Sequence, residues 1–80
     1  MTKSVHSARY AELRRLLVEA RQAAAMTQVD AAKRLRKPQS YLSKVESGER
    51  RIDIVEFLDL AEAVGADPVA IVKKLHRMRR

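Results

Sequence analysis

Gln39, Ser40, Ser43, Lys44 and Ser47 recur at intervals that include three and four residues, the spacing a helix gathers on one side. Such a face offers amide, hydroxyl and ammonium groups, all partners for hydrogen bonds, and almost no acid. It can recognise a polar surface, but it holds nothing that would break a bond. The rest of the chain supplies no catalyst either. His6 and His76 have no Cys or carboxylate cluster that would complete a metal site, and Gly48 and Gly65 make no phosphate-cradling loop. No Ser is paired with a base by motif. The expectation is a binding protein with no catalytic residue, no metal and no cofactor.

The elements that must carry this face follow from composition. Eighty residues make one domain at most, near the lower limit for an unstapled core, and with no Cys there are no disulfides or thiolate zinc sites to support it. Stability has to come from packing, with a second subunit as a further source. The chain is 46% hydrophobic yet has one Phe, two Tyr and no Trp, a Leu, Val and Ala profile that suits packed helices. Two Gly and two Pro are too few to turn an all-β chain. No apolar run reaches the roughly 18 residues of a membrane span, and the opening MTKSVHSARY lacks the apolar centre of a signal peptide. A cytoplasmic all-α protein with no membrane association is expected.

The net charge of +7 favours a polyanionic partner, against the plainer alternative of a basic surface that serves solubility. Its distribution says more. Residues 28–51 carry seven Lys or Arg against three acids, residues 52–67 carry five acids and no Lys or Arg, and residues 68–80 carry five Lys or Arg and no acid. One face can therefore meet phosphates while another is kept off them.

Residues 1–6 show no pattern and are expected to form a flexible N-terminus, ahead of a domain over 7–76 and a basic tail over 77–80. Ser7 suits an N-cap for a first helix of about four to five turns, with Leu13, Leu16, Leu17, Ala20 and Ala24 on its apolar stripe. Arg14, Arg15, Glu19 and Gln22 fall away from that stripe. Thr27 with Asp30 reads as a capping box opening a short second helix through Leu35, whose inward face is Ala31, Ala32 and Leu35. Two adjacent alanines let another backbone approach closely.

Pro38 cannot continue that helix but fits the first turn of a new one, so residues 36–38 form a tight turn. The third helix spans QSYLSKVES, turns Leu42 and Val45 inward, and stops at Gly48. Asp53 with Glu56 is a second capping box, for a fourth helix carrying Phe57, Leu60, Ala61 and Val64 to Gly65. Asp67 and Pro68 start a fifth. Its apolar residues lie on more than one side, Val69 and Val72 on one and Ile71 and Leu75 on another, so part of it is left over for an isologous dimer contact.

Two short helices around a tight turn, the second with a polar outer face, make a helix-turn-helix. The segment TQVDAAKRLRKPQSYLSKVESGERR closely resembles the phage repressor and Cro-like family, also called the xenobiotic-response-element (XRE) type. The resemblance covers residues 13–75 and is carried by Gln28, Ala32, the pair Leu42 and Val45, Glu46 and Gly48. It implies a five-helix, lambda-repressor-like DNA-binding domain whose helix-turn-helix is formed by helices 2 and 3. Arg36 departs from the pattern, because the family commonly has Gly there for a positive φ. Arg36 either bears a cost of about 1 kcal/mol in that conformation or the turn differs slightly, which bears on Lys37 and Pro38.

The resemblance also implies roles. Gln39, Ser40, Ser43 and Lys44 match the base-reading face, where Gln pairs with adenine, Lys with guanine O6 and N7, and Ser with either. Gln28, at the head of the second helix, matches a phosphate clamp. Tyr41 at the rim meets a thymine methyl with its ring or a phosphate with its hydroxyl, or is partly buried against the first helix. Ser47, Arg50 and Arg51 complete the backbone contacts, with pairing of Arg51 to Asp53 or Glu56 as the alternative. Arg21 and Glu46 match an internal ion pair joining the first helix to the recognition helix. The tail KKLHRMRR is either a second phosphate contact or a solvated helix end favoured by the dipole.

The function implied is a sequence-specific DNA-binding regulator of transcription, a repressor acting as a homodimer on a palindromic operator in double-stranded DNA. The same module serves elsewhere as an antitoxin that binds a toxin and represses its own operon, or as a controller of a restriction-modification operon. Those readings add a protein partner, a toxin or the polymerase.

Overall fold

The computed structural model describes residues 7–78; the expected flexible N-terminus and the last two residues of the basic tail lie outside them. Among the described residues the chain forms five α-helices: α1 (Ala8–Ala23), α2 (Gln28–Leu35), α3 (Gln39–Ser47), α4 (Ile54–Val64) and α5 (Pro68–Arg77). The caps that the sequence offers are the ones used. Ser7 Oγ accepts from the Tyr10 backbone N–H, and Thr27 with Asp30 and Asp53 with Glu56 form reciprocal capping boxes. Asp67 caps α5 with Pro68 at its start, and Gly48 and Gly65 end α3 and α4 in the left-handed conformation.

Two expectations shift. Pro38 is the cap residue of α3, in extended backbone with φ −70° and ψ 156°, rather than a member of its first turn. Its ring fixes φ where a cap residue wants it, and its carbonyl accepts from the Tyr41 N–H at 3.0 Å. Ala24 leaves the apolar stripe, because α1 ends at Ala23 and Ala24 is exposed as its C-cap. Ala25 follows at φ 58° and turns the chain.

Arg36 resolves the question its side chain raised. It adopts φ 59° and ψ 42°, the left-handed conformation that glycine takes without cost, and Lys37 donates back to the Ala32 carbonyl at 3.0 Å. The turn thus keeps its geometry and carries the strain.

The core is where the five helices converge. Leu16 and Leu17 of α1, Ala31 and Ala32 of α2, Leu42 and Val45 of α3, four residues of α4 and Ile71 of α5 form one buried cluster. α1 packs on α3, α4 and α5, and α2 sits between α3 and α4. Ala31 and Ala32 are 0% and 2% exposed, so the short side chains of α2 are fully covered by its neighbours. Tyr10, which no helical pattern singled out, is also buried. Arg34 donates to the Ala63 carbonyl at 3.1 Å and ties α2 to the end of α4. α3 packs on α1 and α2 and leaves its polar face outward.

Candidate nucleic-acid interface

α3 buries Leu42 and Val45, and its opposite side faces out. Gln39, Ser40, Lys44 and Ser47 are exposed and Ser43 is half-buried, so the helix presents the face read from the sequence. No described residue takes up the side chains of Ser40, Ser43 or Lys44. Ser47 is used locally: its Oγ donates to the Lys44 carbonyl at 3.1 Å and accepts from the Glu49 N–H at 3.3 Å. This finishes the helix.

The face is fixed from below by a chain of side chains. Arg21 donates to both oxygens of Glu46, Nε to Oε2 at 2.7 Å and Nη2 to Oε1 at 3.0 Å, and its Nη1 reaches the Met26 carbonyl at 2.8 Å. Both partners are only 11% exposed, so the pair is largely desolvated. Glu46 Oε1 also accepts from Gln28 Nε2 at 2.8 Å, and Gln28 Oε1 accepts from Gln39 Nε2 at 2.6 Å. An ion pair that fastens α1 to α3 thus continues to the first residue of the outward face. Gln39 keeps its own carbonyl and one N–H for a partner, while Gln28 keeps a single N–H.

Arg14 was placed away from the apolar stripe; the structure turns it onto α3, where Nη1 donates to the Glu46 carbonyl at 2.9 Å. Its guanidinium lies so close to Gly48 that a Cβ there would stand 2.9 Å from Cζ. Gly48 therefore serves both the left-handed turn and this close approach. A helical pattern assigns Arg14 by its angle alone, and the reach of a long side chain escapes it.

The rim beyond α3 is organised around Tyr41. Its ring is half-buried against the core, with Lys37 Nζ 5.1 Å and Arg50 Cζ 4.9 Å from the centroid. Burial and the nearby Glu56 carboxylate push its hydroxyl above the usual tyrosine range. Glu56 is gripped by Arg50, at 3.0 Å for Nη2 to Oε2 and 3.3 Å for Nη1 to Oε1. The Arg51 guanidinium lies 4.1 Å from the Tyr10 ring centroid. The Arg50 hydrogen bond and the Asp53 N–H hold the Glu56 carboxyl below its ordinary value of 4.5.

Among the described residues no group of three or more His, Cys, Asp or Glu is placed to hold a metal, and no helix is long and apolar enough to cross a membrane. The arrangement can hydrogen-bond a polar surface laid against α3 and meet negative charge at its edges.

A buried-alanine α2, a tight left-handed turn and an outward polar α3 define a helix-turn-helix protein. A helix-turn-helix domain family matches residues 12–71. Among solved structures, an XRE-family like protein from Pseudomonas syringae pv. tomato str. DC3000 is similar with a TM-score of 0.87 and 48% sequence identity, over 96% of this chain and 94% of that one. No curated protein matches the chain. The chain belongs to the XRE-type helix-turn-helix family, whose members are DNA-binding modules and not enzymes.

Proposed function

We propose that the protein is a cytoplasmic transcriptional repressor that reads a two-fold-symmetric operator as a homodimer. The outward, nearly acid-free face of α3 carries this reading. Gln39, Ser40, Ser43 and Lys44 contact base edges in the major groove, where amide, hydroxyl and ammonium groups match the donor and acceptor pattern of the bases. Gln28, at the N-terminus of α2, together with Tyr41, Ser47, Arg50 and Arg51, contacts the phosphate backbone and sets the register.

Dimerisation is supported by apolar side chains left in solvent. Ile54, Val55 and Leu58 of α4 and Val69 and Val72 of α5 are 46–63% exposed. Ile54 and Val72 line one open groove of about 250 Å³ together with Leu13 and Leu75. An isologous contact covers such a surface in both subunits at once and places two recognition helices about 34 Å apart, one turn of DNA.

Selection of bound duplexes from a random pool tests the reading. The expected result is an enriched inverted repeat, with a dimer at tens of micromolar in sedimentation. Failure to enrich any motif would leave a protein-binding role, and a monomer both free and on DNA would remove the dimer.

A further inference from the structure

Arg50 stands in the loop after α3, where its backbone N–H donates to the Lys44 carbonyl at 3.1 Å and so fixes its Cα against the helix end. Its side chain is fixed as well. Glu56 accepts from Nη1 and Nη2, the Arg51 carbonyl accepts from Nη1 at 3.0 Å, and the Tyr41 ring lies beside the guanidinium. Glu56 is not itself free to move, because Oε1 also accepts the Asp53 N–H at 2.9 Å as half of the α4 capping box. The position of the guanidinium is thereby referred to the N-terminus of α4.

A guanidinium carries five N–H groups in a planar fork. The Glu56 and Arg51 contacts use three of them. The two left, Nε–H and the second on Nη2, lie side by side on one edge of the fork, the geometry that grips a phosphate in a bidentate way. The Arg50 side chain is 42% exposed, and no described residue is placed to accept from Nε–H.

We propose that Glu56, a residue with a negative charge, is a positioning residue for DNA binding: it holds Arg50 beside Tyr41 with the Nε and Nη2 edge presented to a backbone phosphate. This rests on the DNA-binding reading above. Without Glu56 the arginine keeps its charge but must be ordered when DNA arrives, and immobilising such a side chain costs a factor of about threefold to tenfold in affinity. The expected sign is opposite to that of simple electrostatics, under which removing an acid near phosphates tightens binding.

The test measures affinity for poly(dA-dT) and poly(dG-dC) duplexes, since a backbone contact acts on every sequence. Glu56→Gln keeps an oxygen for the Asp53 N–H, so the capping box is retained. It is expected to weaken binding to both polymers about threefold to tenfold. Arg50→Lys, which keeps the charge and loses the fork, is expected to fall by a similar factor, and the double variant no further than Arg50→Lys alone. Unchanged or tighter binding by Glu56→Gln, or losses that add in the double variant, would overturn the proposal. Should melting show that Glu56→Gln is unfolded, Arg50→Lys decides alone, and wild-type affinity in that variant counts against it. Wild-type protein that binds neither polymer nor any selected duplex ends the DNA reading itself, a result distinct from a wild type that binds and a variant that binds equally.

Discussion

Arg21 and Glu46 meet in a bidentate pair at the crossing of α1 and α3, and the same carboxylate receives Gln28. The link that holds the fold is therefore also the link that sets the side chain beneath Gln39. Arg21→Ala leaves Glu46 largely desolvated without its cation, and a stability loss of about 1 to 3 kcal/mol is expected. Thermal melting checks it. An unchanged melting temperature would show that the pair contributes nothing.

Arg36 sits at φ 59° where glycine bears no side-chain strain. Arg36→Gly should stabilise the protein by about 0.5 to 1 kcal/mol, the relief of left-handed strain less the greater freedom of glycine in the unfolded chain. Chemical denaturation measures the difference. A destabilised variant would mean that the arginine makes a compensating contact.

Lys44 is the one full charge among the four side chains proposed to read bases, and it is exposed. Lys44→Ala is expected to cost about 1 to 3 kcal/mol on the selected operator and to relax preference at one base position. Arg50→Ala should instead weaken all sequences alike and lower the salt slope by roughly one ion. Binding to a panel of operator variants at several salt concentrations separates the two. The same uniform loss in both would make Lys44 a phosphate ligand.

Acid should loosen the junction of α3 and α4. Arg50 and the Asp53 N–H depress the folded-state carboxyl of Glu56 below 4.5, so its contribution is full above that pH and lost as pH falls through the lower, folded value. Glu56→Gln cannot lose what it lacks. The gap in melting temperature between wild type and Glu56→Gln should close as pH falls below 4.5, and a gap independent of pH would contradict the assignment.

The helices were legible because their signals are local. Caps such as Thr27 with Asp30 and stops such as Gly48 act within a turn, and the spacing of Leu42 and Val45 sets which side of α3 is buried. The Arg21 and Glu46 pair was legible only through family resemblance, since no rule of spacing joins residues in different helices. Three features escaped for the same reason. Arg14 reaches Glu46 across a helix crossing, Tyr10 is buried from the first turn of α1, and Arg50 takes Glu56 across a loop. Each depends on how far a long side chain extends once the helices have docked. The positive φ of Ala25 was likewise invisible, because alanine gives no sign of a left-handed turn.

The most direct measurement is a titration of isotopically labelled protein with its selected duplex, followed by amide and side-chain chemical shifts. The largest changes are expected at Gln39, Ser40, Ser43 and Lys44 and at the start of α2, with smaller ones at Arg50 and Arg51. Changes concentrated instead on Ile54, Leu58 and Val72, with α3 unmoved, would contradict the claim that the outward face of α3 reads DNA.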